Sequence, residues 1–266
     1  MGALWQDVRE IVHEQRQYRD LLFQMAKRDL VLRYKQTFMG AAWAIFMPLV
    51  NTIIFTFIFT RIARVSVGMP YPVFAYSGLV AWNLFAAALR FSIISLTSNI
   101  PLVTKVYFPR EIFPISTVLV SLIDFVIANC VLVLLMLYYG MTPPPTVVLL
   151  PVVLLVHVTF TLGVSLYLAM ANLFYRDVKY LFEVVITVWM FATSVLYPVH
   201  GVEGMLGMVL RANPMTPIID AYRVILFEHH LPAAGPFAFV TLVAVVIFGA
   251  GWLAFHRAEF QFAEYI

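Results

Sequence analysis

The chain has 266 residues, of which 62% are hydrophobic and only 12% charged, against about 25% charged in an ordinary soluble domain. This balance excludes a water-soluble globule and a disordered segment, and the single cysteine, Cys130, excludes an internal disulfide framework. A net charge of +3, dispersed along the chain, is too weak for a nucleic-acid binder, so the composition describes an integral membrane protein.

Residues 1–37 carry seven Lys and Arg and no continuous apolar core, which separates them from a secretory signal. Leu4, Trp5, Val8, Ile11 and Val12 recur at helical spacing, and a second amphipathic turn runs around Leu22, Met25, Ala26 and Leu30. Both fit helices lying in the cytoplasmic membrane interface, with a surface helix packed on the protein's own loops as the alternative. Six apolar stretches follow, each long enough to be a candidate span: 40–60, 72–97, 114–139, 146–173, 180–198 and 236–256. Gly68 to Pro72, Pro101 to Pro114, Pro143 to Pro145 and Tyr175 to Lys179 punctuate them. The segment 199–227 is apolar, glycine-punctuated and broken at Asn213-Pro214 into two pieces too short to span, which predicts an external re-entrant hairpin before the last span. No internal repeat divides the chain, so 1–266 is one all-α transmembrane domain of six helices. Twelve Lys and Arg fall on the side of the N-terminal segment and four on the other, which places both termini in the cytoplasm.

Polar residues within the spans need partners. Arg90, in the second span, and Asp124, in the third, lie at similar depth on antiparallel neighbours and are expected to form an ion pair. His157 shares a stripe with Thr161, Ser165 and Asn172 and is expected to be a hydrogen-bonded packing residue. Two stripes mix hydroxyls with rings: Thr52, Phe55, Thr56 and Phe59 in the first span, and Glu183, Thr187, Met190, Ser194 and Tyr197 in the fifth. With Trp43 they are candidates to line a passage for sugars, whose apolar faces stack on rings. Helix packing through Thr and Ser is the alternative.

No glycine-rich phosphate loop precedes a lysine, and His13-Glu14 lacks the second histidine of a zinc-protease helix. Glu228-His229-His230 is too contiguous to converge on one ion. No catalytic residue, cofactor or metal site is therefore expected in this chain.

Short motifs reach further than periodicity. Arg28-Asp29-Leu30, Arg33-Tyr34-Lys35-Gln36-Thr37, Gly40, Trp43-Ala44 and Pro48-Leu49 form the first group, and the run from Pro101 to Pro114 with its Lys105-Val106-Tyr107-Phe108-Pro109-Arg110-Glu111 core forms the second. With Asn172 to Val178, Asn213 to Pro217 and Phe262-Ala263-Glu264, they resemble the permeases of type-2 ABC exporters that move polysaccharides, nearest to the O-antigen exporter permeases of the Wzm type. Thr104 departs from the basic residue many relatives carry there.

The resemblance implies a homodimer in the inner membrane, joined to two copies of a separate ATP-binding cassette subunit that would hold the ATP and Mg. It implies that 101–113 is the coupling helix, with Tyr107 and Phe108 anchored in the partner and Lys105, Pro109, Arg110 and Glu111 around them. The cargo implied is a polyprenyl-diphosphate-linked glycan whose diphosphate meets Arg28, Arg33, Tyr34 and Lys35 at the cytoplasmic entrance. Teichoic-acid or capsule export is the nearest alternative. An ion-coupled transporter would call for more paired carboxylates in the spans, and a membrane enzyme for catalytic carboxylates in the loops.

Overall fold

The computed structural model describes residues 13–35, 37–64, 67–106, 108–198, 204–228 and 230–265. The helix expected around Leu4 to Val12, and Tyr107, lie outside them. The described residues are predominantly helical, with no strand among them. Helix α1 spans Arg19–Tyr34, and α2 spans Trp43–Phe57, entered by a 3-10 turn at Gly40–Ala42 and extended by a π turn at Ile58–Ile62. Then come α3 Tyr71–Ser95, α4 Ile100–Lys105, α5 Ile112–Tyr138, α6 Leu150–Phe174 and α7 Val178–Phe191. The series closes with α8 Gly204–Ala212, α9 Met215–Arg223, α10 Ala234–Ala258 and α11 Phe262–Tyr265.

Proline sits in the first turn of α3, α4 and α6, where its missing N–H costs nothing. Gly140, at φ +67°, takes the left-handed conformation that ends α5. Among the described residues, five segments are long and apolar enough to cross a membrane: Gly40–Ile62, Tyr71–Ser95, Ile112–Tyr138, Pro145–Phe174 and Ala234–Gln261. The stretch expected to span at 180–198 behaves differently. Its helix ends at Phe191 after 14 residues, about 21 Å of rise against a hydrocarbon core of about 30 Å. The remaining residues fold into a turn.

Helix α3 is the axis of the bundle, with buried residues on every side, and it packs against α2, α5, α6, α7 and α9. Phe85 stacks on Phe160 of α6 and meets Trp189 of α7 edge-on, with centroids 5.5 and 5.1 Å away. Small residues bring α6 and α10 together: a Cβ on Gly163 would lie 2.6 Å from the Phe248 nitrogen, and one on Gly251 2.9 Å from the Gly163 carbonyl oxygen. Helix α9 is largely buried against α3, α6 and α10. Asn213, just before it, ties α7 to α9: its amide nitrogen donates to the Ala192 carbonyl at 2.7 Å and its oxygen accepts from the Trp189 indole at 2.8 Å.

Candidate functional site

A cavity of about 410 Å³ opens between α2, α3, α5 and α7. Trp43, Asn51 and Phe55 line it from α2, Trp82, Asn83 and Arg90 from α3, Asp124 from α5, and Thr187 and Met190 from α7. Of the expected lining residues, it gathers Trp43, Phe55, Thr187 and Met190, and Glu183 pairs with Arg90 of its wall. The others are taken up by packing. Thr52 is buried and donates to the Pro48 carbonyl at 2.8 Å, a side-chain bond back to the preceding turn of its own helix. Phe59 stacks on Tyr71 with centroids 5.7 Å apart. Thr56 keeps its hydroxyl oxygen buried, off the cavity wall. Ser194 is buried and donates to Asp220 at 2.8 Å, and Tyr197 donates to the Phe191 carbonyl. Asn51, Trp82 and Asn83 were missed, although Asn51 stands four residues before Phe55 on the same helical face.

The expected ion pair is rearranged. Arg90 is paired with Glu183, through Nε–Oε1 at 2.7 Å and Nη2–Oε2 at 3.0 Å, a two-pronged clasp between α3 and α7. Asp124 accepts from both Arg33 and Tyr34 at the end of α1. The Arg33 guanidinium also lies 3.8 Å from the centre of the Phe91 ring. Burial and the neighbouring carboxylate push the Tyr34 phenol up, which keeps it a donor. One turn earlier, Asp29 accepts from Ser116 of α5 at 2.8 Å and from Arg28 at 2.7 Å. Arg33 and Tyr34 are therefore latched to α5, which overturns their expected exposure to a lipid diphosphate. Lys27, Arg28 and Lys35 line a shallow groove of about 280 Å³ along α1 instead.

A second knot holds the turn after α7. Arg223, expected in an external segment, is 4% exposed. Its guanidinium donates to the carbonyls of Val195 at 2.7 Å and Phe74 at 3.2 Å, and to that of Ser194, and it lies 3.6 Å from the centre of the Phe74 ring. The backbone oxygens exposed where α7 stops thus find their donors on α9.

The segment from Ile100 to Glu111 divides between surface and core. Lys105 and Val106 are exposed. Phe108 is 4% exposed and rests on Phe113, in a cluster with Leu96, Val103, Leu173, Phe255 and Phe262. Pro109 is buried as well. Arg110 donates to the Val103 carbonyl at 3.3 Å, and Glu111 is buried beside His256, 3.4 Å from its Nδ1. Phe108 and Glu111 therefore belong to this chain's own interior, which corrects the expectation that they dock on a partner. Their physical role is to hold the segment's base while its outer turn stays exposed.

The chain is 34% identical to the O-antigen export system permease protein RfbA of Myxococcus xanthus, over 96% of this chain and 99% of that protein. Two proteins of the same name from Klebsiella pneumoniae are each 28% identical, over 92% of this chain and 94% of their own lengths. The family described as ABC-2 type transporter matches residues 20–227, nearly all of the bundle from α1 to the π turn after α9. The chain belongs to the ABC-2 type transporter family.

Proposed function

We propose that this chain is the membrane-spanning subunit of an ATP-driven exporter that carries O-antigen-type polysaccharide on a polyprenyl diphosphate from the cytoplasm across the bacterial inner membrane. The observation that carries this reading is the cavity between α2, α3, α5 and α7, where Trp43, Phe55 and Trp82 alternate with Asn51 and Asn83. Rings offer flat apolar faces and amides offer paired donors and acceptors, the combination that suits a pyranose. The similar proteins are named as O-antigen export permeases, which points to the same cargo class.

In this reading α7 completes a six-helix membrane domain, α8 and α9 cap the external mouth as a re-entrant pair, and both termini face the cytoplasm. Two copies form the path, and each engages one ATP-binding subunit through the exposed turn at Thr104, Lys105 and Val106. ATP and Mg belong to that subunit. The groove of Lys27, Arg28 and Lys35 receives the diphosphate while the polyprenyl chain stays in the bilayer.

The test is to deplete the protein in its host and separate polyprenyl-linked glycans by compartment. Long lipid-linked polymer should accumulate on the cytoplasmic side and clear when the chain is restored. An unchanged glycan pool would overturn the cargo assignment.

A further inference from the structure

Three titratable side chains that the transport reading does not use converge at the end of the bundle that carries α4. Glu111 caps the start of α5, His256 lies in the last turn of α10, and Glu259 opens the 3-10 turn that follows. They are 1%, 5% and 6% exposed. His256 Nδ1 stands 3.4 Å from Glu111 Oε1 and 3.8 Å from Glu259 Oε1, and one donor atom from each residue lies within 4.8 Å of the other two. The contacts between them are not hydrogen bonds in geometry. Glu111 Oε2 and His256 Nδ1 are both sealed from solvent without a hydrogen-bond partner, an arrangement that costs free energy unless something else binds there.

We propose that Glu111, His256 and Glu259 form a binding site for a divalent first-row transition-metal ion of the zinc class. A tetrahedral ion with metal–ligand distances of about 2.1 Å sets its ligands about 3.4 Å apart, so the observed spacing closes on an ion with small side-chain shifts. One imidazole and two carboxylates form a nitrogen-and-oxygen set that suits Zn²⁺, Mn²⁺ or Fe²⁺, and the ion's two positive charges balance the two carboxylates. The second shell is partly built: the Arg110 backbone N–H donates to Glu259 Oε2 at 3.4 Å, which orients that carboxylate from the same loop that supplies Glu111. The ion would join the last long helix to the loop between α4 and α5. The His256 and Glu259 spacing of three residues puts both ligands on one helical face, and Glu111 arrives from 145 residues away along the chain. This inference does not depend on the cargo.

The experiment uses the full chain in lipid nanodiscs, purified with a histidine-free tag and without chelator. Bound metal is measured by plasma mass spectrometry, and chelator-stripped protein is then titrated with Zn²⁺ and Co²⁺. About one ion per chain, a melting temperature that falls on stripping and returns with Zn²⁺, and a Co²⁺ visible spectrum are the expected results. His256→Gln and Glu111→Gln should each weaken Zn²⁺ binding by more than about ten-fold, the loss produced even by outer-shell changes. If these variants fail to fold, His256→Cys in a Cys130→Ser background keeps a ligand in place and should add a thiolate-to-Co²⁺ charge-transfer band. Wild-type protein that folds yet retains no ion and shows no saturable Zn²⁺ or Co²⁺ binding overturns the proposal in favour of a protonated His256 bridging two carboxylates. Undiminished binding in both Gln variants overturns it equally.

Discussion

Arg223 donates a 2.7 Å hydrogen bond to the carbonyl of Val195, 28 residues earlier and just past the point where α7 stops. A buried guanidinium here acts as the cap of a broken helix. It supplies the Ser194, Val195 and Phe74 oxygens with donors that no water could reach. Arg223→Met should therefore leave the Ser194 and Val195 carbonyls without their donor, while the Phe74 oxygen keeps its bond from the Ser77 hydroxyl, and should cost about 3–5 kcal/mol, read as lost expression and a lower melting temperature in detergent. Gly78→Ala should resemble it, because the added Cβ would sit 2.5 Å from the Arg223 Nη2 and from the Val195 oxygen.

The two charge clasps differ in worth. Arg90 and Glu183 form a two-pronged pair between α3 and α7, so each single reversal should set like charges together and lower the yield of assembled protein, and the double reversal Arg90→Glu/Glu183→Arg should restore it. Asp124→Asn removes the shared acceptor of Arg33 and Tyr34, whose partners are far less exposed, and should cost about 1.5–3 kcal/mol. The reversal Arg90→Asp/Asp124→Arg should give no rescue. Thermal unfolding of these variants decides between the pairings.

Surface and core within one short segment separate two phenotypes. Phe108→Ala should empty part of a packed cluster and cost about 3–5 kcal/mol, abolishing stable protein whether or not a partner is present. Lys105→Glu should leave expression and melting temperature unchanged while reducing co-purification of the ATP-binding subunit. Loss of stability in the Lys105 variant would contradict its exposure.

Asn51→Leu and Asn83→Leu keep volume but remove amides from the cavity wall. Each should slow polymer export by about five-fold, the equivalent of one hydrogen bond of about 1 kcal/mol, with assembly intact. Pulse-labelled surface polymer against cytoplasmic polymer gives the ratio.

Much of the fold follows from hydropathy alone. The stretches 72–97, 114–139 and 146–173 meet Tyr71–Ser95, Ile112–Tyr138 and Pro145–Phe174 within two residues at each end. Each is a continuous apolar run that ends at Pro, Gly or a polar turn. The run 180–198 is helical only to Phe191, where Arg223 of α9 supplies donors to the carbonyls of the turn that follows, and a hydropathy window does not see a partner from another helix. The cavity was legible in part, since Thr187 and Phe55 sit on mixed polar and aromatic faces. Ser194 and Tyr197 carry the same pattern but are consumed by Asp220 and the Phe191 carbonyl. Arg90 and Asp124 do line one cavity, yet Glu183 and Arg33 are their nearer partners. Depth restricts candidates without choosing between faces.

The bonds from Asp29 to Ser116 and from Arg33 and Tyr34 to Asp124 fasten α1 along the first half of α5 at two successive turns. Those same residues of α5 follow directly on the loop that ends at Glu111. The two helices are thereby joined, so any displacement of the first half of α5 carries α1 and its Lys27 and Lys35 groove with it, and at the same time moves the Asp124 wall of the cavity.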